Sequence, residues 1–451
     1  MTDRPLRVLI VGAGTGGMCL AHGLRRAGFD VAVHERDRTR TSGLHGYRVG
    51  ISPNGARALR ACLPPELFDT FVATTASPYD RLGMYTEQFR ELVSIGLDEL
   101  PHTGDGPEDR EHNVSRMTLR QVLFTGMEDV ITFGRRFTHY VQHDDGVTAH
   151  FDDGSTDEGD LLVGADGASS RVRRQYLPQA TQTETGLVAI GGKTPLTPMT
   201  EALLPERARQ GFSMIFDRRG QFGITHVMRM PWDGGHAPRE GIGSSEGELL
   251  SRWPGLRFDN TADHVSWAIT TSRSIAPADL LDREGAALTA LADELTADWS
   301  PCWRALLAGA DHGANVALSI RTSDPLPTWE PSTVTLLGDA AHTMTPGRGA
   351  GANTALRDAR ELRDRLVRVR DGDLSLTAAV GEYEDLMRRY STLAVRESLE
   401  FMNDRGTARR PVIGPLSVLA QRTGLRLVDR VPAAKRRMAL GMQKVRDSEL
   451  A

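Results

Sequence analysis

Cysteine is scarce in this chain. Only Cys19, Cys62 and Cys302 occur among 451 residues, and no two of them have Cys-x-x-Cys spacing. Cysteines placed so far apart indicate neither the disulfide framework of a small secreted domain nor a zinc site. We therefore expect free thiols, no bound metal and a cytoplasmic location.

The chain also has no long apolar run. No uncharged apolar stretch reaches the roughly 18 residues that a membrane-spanning helix needs, and residues 1–5 contain no apolar signal core. Lysine and arginine number 54 against 59 aspartates and glutamates, so the net charge is −5. We expect no transmembrane segment, no secretory leader and no nucleic-acid partner.

Glycines are concentrated directly after the first predicted strand. Residues 6–11 form a short, branched apolar run, which is typical of a buried parallel strand, and Gly12-Ala-Gly14-Thr15-Gly16-Gly17 follows it. Gly12 permits a tight turn, Gly14 leaves room for a pyrophosphate, and Gly17 lets the following helix pack closely. The free amides at the start of that helix, predicted over residues 16–27, favour a bound anion.

An acidic residue ends the second predicted strand. Residues 31–34 are followed by Glu35-Arg36, and Glu35 stands where a carboxylate can hold the hydroxyls of a ribose. The alternative interpretation is a glycine-rich turn without a ligand. Strand, turn, helix, strand and acid in this order favour a dinucleotide-binding site.

Two later segments repeat the pattern of a buried strand that ends in glycine and aspartate. Residues 161–163 precede Asp166-Gly167, after which Ser169-Ser170 can cap a helix, and residues 333–337 precede Gly338-Asp339. The second pair continues into a glycine-rich loop, residues 346–353, and a predicted helix over residues 354–368. Each pair alone indicates only a turn. Together they predict that three segments of the chain meet at one nucleotide.

These three motifs, in this order, resemble those of the FAD-dependent aromatic hydroxylase family, the single-component flavoprotein monooxygenases related to p-hydroxybenzoate hydroxylase. The resemblance extends over about residues 5–400. It implies an α/β fold, in which a Rossmann-like FAD-binding domain carries an inserted, mostly antiparallel β-sheet substrate domain and a C-terminal helical region. The implied boundaries are 1–78, 106–183 and 328–372 for the FAD-binding domain, 79–105 and 184–327 for the substrate domain, and 373–451 for the helical region.

The resemblance also implies which residues contact the cofactor. In the family, the first motif binds the ADP part of FAD, the second serves FAD and the nicotinamide donor, and the aspartate of the third holds the ribityl chain. Arg48 and Arg116 match family arginines that lie near the cofactor. The expected cofactor-binding residues are Gly12, Gly14, Thr15, Gly16, Gly17, Glu35, Arg36, Arg48, Arg116, Asp166, Gly338, Asp339, Pro346, Gly349, Gly351, Ala352 and Asn353. No catalytic side chain is assigned, and no metal ligand.

The glycine-rich loop departs from the family in two places. Gly349-Ala350-Gly351 stands where Gly-Gln-Gly is frequent, and Arg357 stands where an acid is frequent. His342 and Arg348 lie close to the expected flavin edge. We expect a positioning role for His342, with proton transfer as the alternative. Arg348 is expected to face solvent or phosphate, with attraction of an anionic substrate as the alternative.

The function implied by the resemblance is monooxygenation. NADH or NADPH reduces FAD, dioxygen then gives a flavin hydroperoxide, and one oxygen atom is transferred to an aromatic or polyketide-like small molecule. No second Gly-x-Gly-x-x-Gly follows a strand, so the nicotinamide donor is expected to bind transiently in a surface groove. An isoprenoid-type FAD reductase or saturase and a non-catalytic FAD-binding module are the alternatives, and a monomer or homodimer is expected.

The remaining segments predict a sheet and a basic helical end. Residues 211–216 and 222–228 flank a turn and predict a β-hairpin, to which residues 265–271 add a third strand. From residue 401 onwards, eleven lysines and arginines stand against four acids, and Pro411, Pro415 and Pro432 predict short helical pieces. A solvated helix face explains this charge, and a membrane, an acidic partner or a carrier protein is the alternative.

Overall fold

The computed structural model describes residues 4–40, 48–97, 104–233, 237–238, 262–403 and 413–447. The strands in these ranges are β1 (Arg7–Val11), β2 (Asp30–Glu35), β3 (Arg48–Ile51), β4 (Arg81–Thr86), β5 (Glu91–Gly96), β6 (His112–Ser115), β7 (Ile131–Phe133), β8 (Phe137–His143), β9 (Gly146–Phe151), β10 (Thr156–Gly159), β11 (Leu161–Gly164), β12 (Gln182–Pro195), β13 (Gly211–Phe216), β14 (Phe222–Met228), β15 (Trp232–Asp233), β16 (Ala237–Pro238), β17 (His264–Ser272), β18 (Val316–Ser323) and β19 (Val334–Leu336).

The α-helices in the same ranges are α1 (Thr15–Arg26), α2 (Pro53–Cys62), α3 (Pro65–Ala73), α4 (Arg116–Phe124), α5 (Arg171–Tyr176), α6 (Pro198–Ala202), α7 (Gly285–Leu295), α8 (Pro301–Ala308), α9 (Asp339–His342), α10 (Gly351–Arg370), α11 (Leu376–Asn403), α12 (Ile413–Arg430) and α13 (Pro432–Asp447). Short 3-10 turns connect several of them, including Pro346–Arg348. None of these helices combines the length and the apolarity that crossing a bilayer requires.

A parallel sheet of five strands, in the order β19-β11-β1-β2-β7, forms the Rossmann-like part that the sequence predicts. Leu9 and Ile10 of the central strand are 0% exposed, as the uninterrupted apolar run of a strand covered on both faces requires. Val11 pairs with Gly164 on one side and with His34 on the other. The carboxyl ends of β1, β2 and β11 therefore meet at one edge of the sheet.

A second sheet of seven strands has the order β18-β12-β17-β14-β13-β4-β5. All its neighbours pair antiparallel except β4 and β13. The predicted hairpin is present as β13 and β14, with Gly220 at a φ of 77° in the turn. Helices α7 and α8 cover one face, where Trp267, Trp299 and Trp303 pack in one core. The mostly antiparallel substrate sheet is thus confirmed.

Three long helices, α11, α12 and α13, follow α10. α11 runs from β19 to the seven-stranded sheet, and α12 and α13 then pack on the β4–β5 side of that sheet. The prediction that prolines divide this region into short pieces was wrong for Pro415, which lies in the first turn of α12, where a helix tolerates proline because those amides have no partner within the helix. Pro432 does divide the region, because α12 ends at Arg430 and α13 begins at Pro432. Pro411 lies outside the described residues.

Candidate functional site

A cleft of about 230 Å³ opens at the edge where β1, β2 and β11 end. Its lining combines the first two sequence motifs with a group of arginines. The lining residues are Val11, Gly12, Ala13, Gly14, Thr15, His34, Glu35, Arg36, Asp37, Arg116, Arg120, Arg135, Arg136, Phe137, Ala165, Asp166, Gly167, Ser169 and Arg171. Six arginines against three acids make the cleft a site for an anion such as a pyrophosphate.

The glycines at the start of α1 meet different spatial demands. A Cβ at Gly12, whose φ is 109°, would lie 2.3 Å from the backbone oxygen of Ala165, and one at Gly17 would lie 2.3 Å from the oxygen of Gly12. Gly16 faces the protein interior, because its Cβ would lie 2.4 Å from Leu337. At Gly14 a Cβ would meet nothing within 4 Å. The space in front of Gly14 is therefore open to a ligand, as the motif predicts.

Glu35 is held in place by two backbone amides. Ala13 donates to its Oε2 at 2.7 Å and Asp37 donates to its Oε1 at 2.9 Å, and the residue is buried. These bonds join the end of β2 to the glycine-rich turn. The carboxylate that the sequence assigns to a ribose thus also fixes the shape of the turn.

The carboxylate of Asp166 caps a helix. It accepts hydrogen bonds from Ser170 Oγ at 2.5 Å and from the amides of Arg171 at 2.7 Å and Val172 at 3.3 Å. These amides begin α5, whose N-cap is Ser170, so the predicted cap is present. Asp166 contributes to the cleft lining while its charge is already shared with the first turn of α5.

A buried hydrogen-bonded cluster supports the third motif. Gly338, with a φ of 63°, donates its amide to Asp358 Oδ2 at 2.8 Å, and His342 Nε2 lies 2.7 Å from the same oxygen. Tyr390 donates to the other oxygen of Asp358. Burial alone would lower the pKa of His342, but the charge and hydrogen bond of Asp358, together with Asp339, outweigh it and raise that pKa. His342 thus has the positioning role that the sequence suggests.

Asp339 differs from this cluster in its surroundings. Solvent reaches the residue, although protein surrounds it on most sides, and this partial loss of hydration raises the pKa of its carboxyl against the attraction of His342 and Arg116. A Cβ on Gly351 would lie 3.9 Å from its Oδ1. A concave site that is open to solvent thus brings together Asp339, Arg116 and the start of α10.

The 346–353 loop is fixed by the side chain of Asn353. Its Oδ1 accepts from the amide of Ser52 at 2.8 Å, and its Nδ2 donates to the oxygens of Gly50 and Gly349, both at 3.0 Å. Both polar atoms of this buried side chain therefore have protein partners, so a contact of Asn353 with the cofactor would have to come from its backbone. The side chain of Asn353 ties the loop to the β3–α2 turn.

Further contacts brace the loop from α11. Arg348 forms an ion pair with Glu397, and Thr345 Oγ1 donates to the backbone oxygen of Ser398 at 2.7 Å. A Cβ on Gly347 would lie 2.6 Å from the ring of Phe401. The expectation that Arg348 faces solvent or phosphate was wrong, since its side chain is only 10% exposed and paired with Glu397.

The side chain of Arg48 also contacts protein groups. Its guanidinium is 5.1 Å from the centre of the Phe212 ring, in the seven-stranded sheet, and donates to Asn113 at 2.7 Å. Arg48 is not among the residues that line the cleft. The side chain of Arg48 thus packs between the β3–β6 pair and the seven-stranded sheet.

Sequence reasoning missed several cleft residues. Arg135 and Arg136 follow β7, which pairs parallel to β2 and so ends at the same edge of the sheet. The short run Ile131-Thr-Phe133-Gly134 was the available signal for this strand. Asp358, Tyr390 and Glu397 carried no such signal, because their partners lie 16 to 49 residues away on other elements.

Two family models match the chain. A model described as an FAD binding domain matches residues 110–263 and 325–396, half of the chain, and one described as an NAD(P)-binding Rossmann-like domain matches residues 10–71. The chain belongs to the FAD-dependent aromatic hydroxylase family. The match to an NAD(P)-type Rossmann model concerns the first motif, which in this chain lies beside the FAD-binding segments.

Individual relatives agree with this membership. The dual O-methyltransferase/FAD-dependent monooxygenase elcB of Phaeosphaeria nodorum is 32% identical over 392 residues, which cover 79% of this chain and 40% of that protein. The FAD-dependent urate hydroxylase of Klebsiella pneumoniae is 27% identical over 84% of this chain and 85% of its own length. This chain therefore spans less than half the length of the dual enzyme.

A solved structure shows the same fold. A protein of Photorhabdus luminescens subsp. laumondii TTO1, assigned as an FAD-containing monooxygenase, superimposes with a TM-score of 0.74 at 32% identity, over 88% of this chain and 98% of its own. FAD is the cofactor of this protein. The open space at Gly14, the arginine-rich cleft and the accessible carboxylate of Asp339 fit its pyrophosphate and ribityl groups.

Proposed function

We propose that this protein is an FAD-dependent monooxygenase that uses NADH or NADPH and dioxygen to hydroxylate or epoxidise an aromatic or polyketide-like small molecule. The similarity to elcB, a dual O-methyltransferase and FAD-dependent monooxygenase, and to the FAD-dependent urate hydroxylase supports the reaction type. FAD, when bound, supplies the transfer of electrons and the activation of dioxygen. The chain must hold it, position its ring and keep water away.

The observation that carries this proposal is the fixed shape of the 346–353 loop. Asn353, Glu397 and Phe401 hold it from two directions through contacts within the protein. A module that only retained FAD would need the ADP cleft but not a braced loop at the start of α10. The amides in the first turn of a helix favour negative charge, and such preorganised donors stabilise charge that develops during a reaction.

The ADP half of FAD would be held by the cleft. Glu35 is placed for the ribose, Gly14 leaves the pyrophosphate path open, and Arg36 and Arg116 face the same space. Asp339 is placed for the ribityl chain, because its carboxylate is accessible beside Gly351. The nicotinamide donor is proposed to bind transiently at the surface.

The proposal is tested by turnover of the purified protein with a panel of phenols and polyketide-like compounds. We expect a flavin absorption spectrum, oxidation of NADH or NADPH that depends on dioxygen, and a product heavier by one oxygen atom. Saturation of a substrate double bond without oxygen uptake would instead identify an FAD reductase. Bound FAD that no nicotinamide donor ever reduces would identify a non-catalytic module.

We also propose a location, an oligomeric state and a domain division for the protein. Cys19, Cys62 and Cys302 are free thiols, which supports a reducing, cytoplasmic location. We propose a monomer or homodimer, the division into the three regions given by the sequence, and no nucleic-acid partner. Size-exclusion chromatography with light scattering measures the oligomeric state, and limited proteolysis tests the division.

A further inference from the structure

Exposed large apolar side chains are concentrated on the last two helices. Five such side chains are scattered over residues 141–318, and single exposed residues of this kind are normal on a protein surface. Four more lie close together within residues 419–440, on α12, on α13 and between them. These four are Leu419, Leu427, Val431 and Leu440, which are 61%, 57%, 48% and 39% exposed. Such a concentration indicates an interaction surface.

The exposed side of α12 is opposite the side that packs on the protein. Leu425 and Val428 pack with side chains of β4 and β5 in one core. Leu419, Thr423 and Leu427 recur every four residues and are all exposed, so they form a row along the other side of the helix. The leucines of this row are therefore not needed to hold α12 on the sheet.

α13 has the same arrangement. Met438 and Ala439 belong to the core shared with β4 and β5, whereas Arg436 and Leu440 lie four residues apart and are both exposed. Both helices thus turn their inner sides to the same part of the sheet and their outer sides away from it. We call their exposed large apolar and arginine side chains the outer face. It consists of Leu419, Arg426, Leu427, Arg430, Val431, Arg436, Arg437 and Leu440.

The charged residues of the two helices are sorted by side. Arg422 pairs with buried Glu87, and Asp429 accepts hydrogen bonds from the amide of Ser94 at 3.3 Å and from Lys435 Nζ at 3.2 Å. The other four charged residues between positions 417 and 441 are all exposed arginines, and none forms an ion pair with any described residue. The single acid of this stretch is therefore used in an internal contact, and the outer face carries positive charge alone.

This combination of charge and apolarity favours one kind of partner. A second copy of the chain, related by a two-fold axis, would bring the same arginines together, and like charges repel. Protein partners that recognise a helix use an apolar groove, and they read its apolar side chains as a compact row. Leucine and valine interspersed with arginine, on the outer sides of two successive helices, are instead typical of helices that lie flat on an anionic membrane.

We propose that the outer face docks on the surface of an anionic lipid bilayer, with Leu419, Leu427, Val431 and Leu440 entering the headgroup region and the four arginines contacting lipid phosphates and carboxylates. The complementary charge is available in the cell, because the cytoplasmic leaflet carries the anionic lipids. Docking concerns where the protein acts, and it is independent of which compound is oxidised. No part of the chain needs to cross the bilayer.

Docking is tested by sedimentation of the full-length holoprotein with lipid vesicles. We expect binding to vesicles of phosphatidylcholine that contain about 30% phosphatidylserine, and binding at least tenfold weaker to phosphatidylcholine alone. Raising the ionic strength to about 1 M should weaken the first interaction, because salt screens exposed charges.

Two substitutions on the outer face separate its charge from its apolarity. Arg430→Gln should weaken binding to the anionic vesicles about fivefold, the contribution of one arginine near such a surface. Leu427→Ser should weaken it by a similar factor, because less apolar area enters the headgroup region. The matched controls are Arg110→Gln and Leu281→Ser, which change exposed residues elsewhere and should bind as the original protein does. All four positions are exposed, so folding and FAD content should be unchanged.

Several outcomes would overturn the docking. Protein that stays in the supernatant with anionic vesicles, or that binds both kinds of vesicle equally, has no such surface. Binding that Arg430→Gln and Leu427→Ser weaken no more than their controls do involves another part of the chain. Light scattering without vesicles that shows a dimer, lost in Leu427→Ser, would assign the outer face to a second copy. Competition by polyglutamate at equal charge concentration, as effective as anionic vesicles, would assign it to an acidic protein.

Discussion

At the scale of single residues, the glycines between positions 12 and 17 separate ligand space from protein packing. The Cα of Gly14 faces open space, whereas Gly12 and Gly17 are pressed against backbone atoms. Neighbouring positions of the same residue type therefore respond to substitution for different reasons. A substitution at Gly14 should change cofactor binding, whereas substitutions at Gly12 and Gly17 should change the stability of the fold.

Substituting Gly14 with valine should abolish FAD binding and leave the apoprotein folded. The added side chain enters the space for the pyrophosphate without meeting protein atoms. Gly17→Ala should instead lower the free energy of unfolding by about 1–3 kcal/mol, because its Cβ would overlap the oxygen of Gly12. Flavin absorbance and urea denaturation of both variants check this. A yellow Gly14→Val protein would contradict the nucleotide placement.

Asn353→Ala should destabilise the protein and loosen the 346–353 loop together. It removes three hydrogen bonds and leaves the buried amide of Ser52 without its partner, which costs on the order of 3 kcal/mol. Hydrogen exchange should rise at residues 346–353 and at the β3–α2 turn. Thr354→Ala removes the neighbouring side-chain bond to Ala350 and is the control. Exchange that rises equally in both variants would argue against the tie.

Asn353 and Arg48 show which contacts the sequence does not predict. Both were expected near the cofactor, and both side chains are occupied by protein groups. The motif correctly predicts that an amide ends the loop, yet the groups facing it, Gly50 and Ser52, lie some 300 residues away in sequence. Local pattern predicts strands and turns well, because their causes are local. A partner supplied by a distant element has no local signature.

At the scale of elements, α11 joins the two sheets. Near its start, Glu384 accepts hydrogen bonds from Thr335 of β19 at 2.8 Å, from Trp329 at 2.8 Å and from Tyr176 at 3.3 Å. Near its end, Phe401 and Met402 reach the seven-stranded sheet. The sequence predicted a helical region over residues 373–451, but not that a single helix within it, Leu376–Asn403, would reach from one sheet to the other.

The stability of this junction should depend on pH through Glu384. Burial raises the pKa of Glu384 from 4.5 to about 7, because its hydrogen bonds only partly replace water. Between these values the folded protein keeps a proton that the unfolded chain has lost, so the free energy of unfolding falls as pH rises from 4.5 to 7. The loss is on the order of 3 kcal/mol.

Glu384→Gln keeps the shape of the side chain and removes this titration. Denaturation at several pH values should show a shallower decline with pH for the variant than for the original protein. Exposed Glu382→Gln is the control on the same helix. Parallel stability curves for the original protein and Glu384→Gln would show that Glu384 titrates normally.

At the scale of the whole molecule, the C-terminal helices are locked to the sheet by a buried ion pair. Arg422 of α12 pairs with Glu87, which follows β4, and donates to the backbone oxygen of Phe216 at 2.8 Å. The side chains of Arg422 and Glu87 are 10% and 5% exposed. The sequence predicted that the basic residues of this region lie on a solvated helix face, but Arg422 is buried against the sheet.

Arg422→Met should destabilise the protein by about 3 kcal/mol, because it leaves Glu87 buried with the exposed Arg218 as its one remaining ion-pair partner among the described residues. The double variant Arg422→Met, Glu87→Gln should recover most of that loss, since neither charge remains. Urea denaturation of the single and double variants measures this coupling. Additive losses would show that the two residues act independently.

Phe401 connects the cofactor-binding part of the molecule to the seven-stranded sheet. Its ring lies against Gly347 on one side and against Phe222 on the other. Phe401 therefore packs between the 346–353 loop and the seven-stranded sheet. A displacement of Phe222 would therefore also displace Phe401 and, through it, the 346–353 loop. Shortening Phe401 should therefore affect the packing of both the 346–353 loop and the seven-stranded sheet.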